Sequence, residues 1–140
     1  MVELTSSICF GMRAAIKKID KTINNELEPL GISIPQSFIL INLLQEDGAT
    51  LKEIGIKSLI DSSSMTVLID KLEKQGLVER RLDTLDRRAI RVFITEKGKA
   101  LANKVYKISS EFNNFLYDLI GEGNQKEFLH GISNIINRLE

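Results

Sequence analysis

Asp86, Arg87 and Arg88 stand in a row between two short runs of β-type residues, Val78 to Leu82 and Ala89 to Ile94. An arginine carried at the tip of a slim two-stranded projection can enter a DNA minor groove, whose width and negative potential favour a guanidinium. Other reactive side chains are sparse, because His130 is the only histidine and Cys9 the only cysteine. His130 has no second His, no Cys partner and no spaced carboxylates, so neither a metal site nor a Cys-His or Ser-His pair assembles around it. It reads as a surface or interface histidine. Gly121 and Gly123 follow a helical pattern rather than a strand, and read as a helix-breaking turn, not a phosphate loop. The residues point to binding of a polyanion and imply no catalytic residue, metal or cofactor.

These basic residues need a scaffold, and the chain around them spells one out. Leu4, Ile8, Met12, Ala15, Ile19, Ile23 and Leu27 recur at helical spacing, which predicts a first helix from about Thr5 to Glu28, stopped near Pro29 and Gly31. Ser33 and Gln36 are spaced as a capping box around Pro35, and open a second helix expected to bury Phe38, Ile41 and Leu44 and to end near Asp47-Gly48. Thr50 and Glu53 repeat the box and open a short third helix ending around Leu59. Asp61 or Ser62 can cap a fourth, which turns Met65, Leu68, Ile69 and Leu72 inward. The third and fourth helices with their brief joint form a helix-turn-helix. The two β-type runs follow as a hairpin, then a long fifth helix runs from Thr95 to about Ile120, and Phe128, Ile132, Ile135, Ile136 and Leu139 line a sixth. The expected fold is all-α with a small β-hairpin wing, the outline of a winged helix-turn-helix.

With 140 residues the chain is long enough for one core and too short for two ordinary domains. Its 43% hydrophobic and 27% charged residues are ordinary for a globular protein, and no apolar run could span a bilayer, so no membrane partner is expected. The N-terminus places its Lys and Arg after its apolar residues, the wrong order for a secretory signal, and a single cysteine suits a reducing cytoplasm. Formal net charge is zero, but residues 51–99 hold eleven Lys and Arg against eight Asp and Glu, while both ends are mildly acidic. A polyanion would therefore meet the middle of the chain.

If the fourth helix buries its apolar side, the opposite face presents Ser63, Thr66, Val67, Asp70 and Lys74. With Ser62 and Ser64 at the helix start, these small hydroxyls can bond base edges or phosphates. The Val67 methyls can pack on thymine methyls, and Lys71 and Lys74 can neutralise phosphates. The plainer alternative is an amphipathic helix with a neutral surface, on which Asp70 and Lys74 form an ordinary i,i+4 pair.

The stretch LIDKLEKQGLVERRLDTLDRRAIRVFITEKGKAL resembles the signature of the MarR family of transcriptional regulators. In that family a Gly-Leu-Val turn leads into a wing with an Asp-x-Arg tip, and Thr-x-x-Gly starts the next helix. Gly76, Leu77, Val78, Arg80, Asp86, Arg88, Thr95 and Gly98 fall on the pattern, and the order and lengths of the flanking helices extend the likeness over essentially the whole chain. The resemblance implies a single domain over 1–140, with dimerisation helices at 1–32 and 100–140 and a winged-helix part at 33–99. It implies a homodimer gripping a pseudo-palindromic operator in double-stranded DNA, acting as a repressor released by a small aromatic or phenolic effector. Arg88 would enter the minor groove, oriented by Asp86 through a carboxylate–guanidinium pair. Met12, Arg13 and Phe38 are the effector-pocket candidates by resemblance only. Two residues depart from the pattern: Val67 stands where a basic residue is common, and Leu59 where the turn often has Gly.

Cys9-Phe10, with Pro35-Gln36, is similar to the organic-peroxide-sensing branch of the same family, in which a cysteine at this place is oxidised and DNA binding weakens. The tyrosines of that branch are missing, since Arg13, Ile34 and Ser37 occupy their sites. Cys9 is therefore expected to be a buried thiol acting as a small apolar residue, with a peroxide-sensing or thiol-sensing regulator as the alternative. A winged-helix architectural or protein-interaction module without an effector is the competing class.

Overall fold

The computed structural model describes residues 3–139. It contains six α-helices and one hairpin: α1 (Ile8–Leu27), α2 (Ile34–Gln45), α3 (Leu51–Ser58), α4 (Ser62–Lys74), β1 (Val78–Leu82), β2 (Ile90–Ile94), α5 (Glu96–Ile120) and α6 (Gln125–Arg138). The first apolar stripe is not one helix, because single 3-10 turns at Leu4–Ser6 and Glu28–Leu30 flank α1, the second carrying Pro29 in its first turn. Contacts divide the chain into two compact units, one ending at Tyr106 and the other beginning at Lys107.

The first unit holds the core. Leu27, Ile39, Leu40, Leu43, Ile54, Met65, Ile69, Leu72, Val78, Val92 and Val105 are almost fully buried. Both capping boxes form, with Ser33 and Gln36 closing the start of α2 and Thr50 and Glu53 that of α3, so two orphan N–H groups are satisfied at each. The buried side of α2 is a correction to the sequence reading: Ile39, Leu40 and Leu43 point inward, Ile41 and Leu44 are half-buried, and Phe38 is 45% exposed. Phe38 to Ile41, Leu43 and Leu44 make this helix apolar almost all round, so no polar stripe marks its outer face.

The helix-turn-helix closes tightly. A Cβ on Gly55 in α3 would lie 2.9 Å from the Ile60 carbonyl, so the absence of a side chain lets the turn into α4 fold back against α3. Leu59 makes that turn in the left-handed region at φ 58°, ψ 40°, with its side chain 93% exposed. The hairpin is antiparallel, with Val78 opposite Ile94, Arg80 opposite Val92 and Leu82 opposite Ile90. Thr95 caps α5, accepting from the Gly98 N–H and donating its hydroxyl to the Gly76 carbonyl at 2.7 Å. A Cβ on Gly98 would come 2.1 Å from the Leu77 carbonyl oxygen, so only glycine allows this approach of α5 to the start of β1.

The second unit comprises the end of α5, a turn through Gly121 at φ 95°, and α6. Gln125 Nε2 donates to the Tyr117 carbonyl across the turn at 2.9 Å, and the rings of Phe112 and Phe115 are 6.1 Å apart. No residue from 107 to 139 is buried. Phe115, Leu119, Phe128, Leu129, Ile135, Ile136 and Leu139 all stand exposed. Among the described residues no single helix is long and apolar enough to cross a membrane.

Candidate DNA interface

The site is built from α4 and the hairpin. Asp61 caps α4, accepting from the Ser64 N–H at 2.8 Å and from the hydroxyls of Ser63 at 2.7 Å and Ser64 at 3.1 Å. The Ser63 hydroxyl first, and then the two Ser64 donors, hold the Asp61 carboxyl below the usual carboxylate range. Ser63 and Ser64 thus have fixed rotamers with lone pairs left over. Ser62, Ser63, Thr66, Val67, Lys71 and Lys74 are exposed, and Ser64 is half-buried. The hydroxyl of Thr66 donates to the Ser62 carbonyl at 3.3 Å, and Val67 next to it in sequence is half-exposed. Opposite them Met65, Ile69 and Leu72 are buried in the core.

Asp70 does not pair with Lys74. Its carboxylate meets the Arg80 guanidinium of β1 at 2.7 Å, and Glu73 accepts from the same guanidinium at 3.1 Å and from the Arg80 N–H at 2.9 Å. One arginine therefore ties the base of the hairpin to two successive turns of α4. The Arg80 side-chain bond lowers Glu73 and the Glu73 bond raises Arg80, as mutual stabilisation of two charges requires. A second tie holds the other strand: Arg91 donates Nε to Asp83 at 3.0 Å and Nη1 to the Gly48 carbonyl at 2.8 Å, joining the hairpin to the turn before α3. The Arg81 guanidinium lies 4.3 Å from the centre of the Phe93 ring.

Arg80, Asp70, Glu73, Asp83 and Arg91 are site residues whose roles sequence reasoning missed. The available signal was a pair of acids three residues apart on α4, followed by Arg80 just past the Gly76 turn. Pairing between elements has no local periodicity, so only the folded chain specifies it.

At the tip, Asp86, Arg87 and Arg88 are all exposed. Asp86 corrects an expectation. Its carboxylate accepts from the backbone N–H of Arg88 at 3.0 Å, and among the described residues no ion pair engages the Arg88 guanidinium. A carboxylate bonding two residues ahead shapes the turn and leaves the guanidinium free to reach outward. Lys71, Lys74 and Arg87 are likewise outside every ion pair among the described residues. The interface thus consists of a neutral hydroxyl-bearing helix face with cations at its end and at the wing tip.

The remaining candidates are less gathered. Met12 and Arg13 are exposed on α1, and Phe38 is exposed on α2. A cleft of about 780 Å³ is lined instead by Asn24, Gly31, Gln36, Lys71 and Lys74, and another of about 480 Å³ by Leu51, Ile56, Met65 and Thr66. None of the three effector candidates lines either. Cys9 is exposed, a correction to the buried thiol expected from sequence. The cause is that α1 meets the core only at its far end, where Leu27 is the sole buried residue of the helix. His130 is exposed on α6, and among the described residues no group of three His, Cys, Asp or Glu could hold a metal ion.

A family model described as the MarR family matches residues 32–90. The chain is 34% identical over 102 residues to the HTH-type transcriptional regulator TtmR of Methylorubrum extorquens (strain PA1), a match covering 73% of this chain and 52% of that protein. It thus spans about half the length of that relative. It is 29% identical over 107 residues to the organic hydroperoxide resistance transcriptional regulator of Bacillus subtilis (strain 168), covering 76% of this chain and 73% of that one. Among solved structures, a MarR transcriptional regulator from Methanosarcina mazei Go1 is 30% identical, covers 93% of this chain and 94% of its own, and superposes with a TM-score of 0.80.

Proposed function

The chain belongs to the MarR family of transcriptional regulators, and on that premise we propose that it is a homodimeric, sequence-specific DNA-binding repressor released from its operator by a small-molecule effector. One observation carries the reading. The exposed face of α4 and the arginine-tipped hairpin are locked to each other through Arg80, so major-groove and minor-groove contacts are presented as one rigid body. On DNA, Ser62, Ser63, Ser64, Thr66 and Val67 read the major groove, Lys71 and Lys74 neutralise phosphates, and Arg87 and Arg88 reach the minor groove beside the wing, with Asp86 holding the tip.

The dimer follows from the second unit. A stretch of about 34 residues cannot bury a core of its own. Its exposed Phe115, Leu119, Phe128, Ile136 and Leu139 are the surface another copy would cover. A two-fold dimer places two α4 helices in successive major grooves roughly 34–36 Å apart, which calls for a pseudo-palindromic operator. An effector, a small aromatic or phenolic molecule held near Met12, Arg13 and Phe38, acts by favouring a dimer geometry that no longer matches this spacing. The chain works in the cytoplasm and carries no catalytic activity.

The exposed thiol of Cys9, and the likeness to the Bacillus subtilis regulator, favour one second reading: release by oxidation. There the Cys9 thiolate attacks a hydroperoxide oxygen, the O–O bond breaks, and the products are a sulfenic acid and an alcohol.

Selection of duplexes from a random-sequence library by the purified protein tests the main reading. It predicts enrichment of one inverted repeat, and recovery of no common sequence contradicts it.

A further inference from the structure

Leu85 stands at the end of the wing and is 96% exposed, more than any other large apolar side chain in the described residues. Its backbone is held in place. The Leu85 N–H donates to Asp83 Oδ1 at 3.0 Å, Arg91 Nε donates to the other oxygen of that carboxylate at 3.0 Å, and the Asp83 N–H donates to the Ala89 carbonyl at 3.0 Å. On the far side of the tip, the Ala89 N–H donates to the Asp86 carbonyl at 3.0 Å. The backbone bond from Leu85 is the first cause of the depressed Asp83 titration, as expected for a carboxylate that organises a turn. A leucine is thus held in water on a fixed projection, two and three residues from two unpaired guanidiniums.

Resting on the DNA-binding reading above, we propose that Leu85 is a minor-groove wedge. Its side chain enters the groove with Arg88, packs on the sugar walls and base edges, and partly opens the base step it meets. Leucine is among the apolar side chains that proteins insert in this way, and the bend that results lets DNA wrap more of the protein. The occupant is DNA because of size and charge. One leucine next to two arginines is far smaller than the roughly 1,000 Å² a protein interface needs, and its flanking charge complements a polyanion. The wedge adds selectivity for steps that unstack easily, such as TA and CA, at a position where no hydrogen bond reads a base.

An apolar contact and a charged one differ in their salt response, because only the charged one releases counterions. The test titrates the parent, Leu85→Ala and Arg88→Ala against the duplex that the parent selects from a random-sequence library, across a salt series, and measures bending by circular permutation. Leu85→Ala is expected to bind about tenfold more weakly, equivalent to about 1.4 kcal/mol, with the parent's salt slope and a smaller bend. Arg88→Ala lowers the slope by about one. Melting of Leu85→Ala should match the parent, since the residue buries nothing in the free protein. A variant within about twofold of the parent, a loss that comes with a lowered slope, or a loss with the parent's bend overturns the wedge. A parent that selects no duplex refutes the DNA-binding reading and the wedge with it, whereas tight parent binding with an indifferent Leu85→Ala refutes the wedge alone.

Discussion

Removing the Arg80 guanidinium should separate the wing from the recognition helix without touching either DNA-contacting surface. In Arg80→Ala two ion pairs are lost, to Asp70 at 2.7 Å and Glu73 at 3.1 Å, and the two carboxylates are left facing each other across one turn of α4. The Arg80, Asp70 and Glu73 side chains are 32%, 43% and 38% exposed, so each pair is discounted for solvent screening to the surface range of about 0.2–1 kcal/mol. Together they give about 0.5–2 kcal/mol, a fall in melting temperature of roughly 2–6 °C for a chain of this size at fixed protein concentration. The pH dependence has a definite sign. Glu73 titrates lower folded than unfolded, so its contribution is present above its unfolded value and disappears as pH falls through the folded one. Circular dichroism melts of parent and variant from neutral to acidic pH should therefore differ most near neutrality and converge in the acid limb. Operator affinity should fall as well, because the wing no longer holds its angle to α4. A variant that melts with the parent at neutral pH, or a gap that widens on acidification, would refute the clamp.

Three further outcomes follow from single residues. Leu59→Gly should stabilise the protein by about 0.5–1 kcal/mol in urea denaturation: relief of a left-handed leucine is worth about 1–2, less about 0.4–1 for the added freedom of the unfolded chain, and the exposed side chain loses no burial. Arg88→Ala should cost about 1–3 kcal/mol of specific binding, whereas Lys74→Ala should weaken binding to all sequences alike, and each should lower the salt slope by about one, as equilibrium titrations would read. For the effector, gel-shift titration with an organic hydroperoxide should leave the parent bound and Cys9→Ser should behave the same; reversible loss in the parent alone would establish the thiol switch instead.

What the sequence made legible was local. Ser33–Gln36 and Thr50–Glu53 close their helices within four residues, and the β-type runs around the Asp-Arg tip match the two strands to within one residue at their ends. The inward face of α2 was not legible, because Phe38 through Leu44 is apolar on both sides and only packing against α1, α3, α4 and β2 selects Ile39, Leu40 and Leu43. Nor was the Arg80 clamp, whose partners lie on another element, or the role of Asp86, whose bond goes to a backbone N–H rather than to the arginine beside it. The exposure of Cys9 was missed for a different reason. An apolar helical stripe predicts that something covers it, and on most of α1 nothing among the described residues buries it.

Two linked copies of this interface are expected to read one inverted repeat. Hydroxyl-radical footprinting on the selected duplex, combined with sedimentation of the complex, measures it most directly. One dimer is expected per duplex, with two protected major-groove segments centred roughly 34–36 Å apart and minor-groove protection just outside each. Protection of a single segment by a folded monomer, or uniform protection independent of sequence, would contradict it.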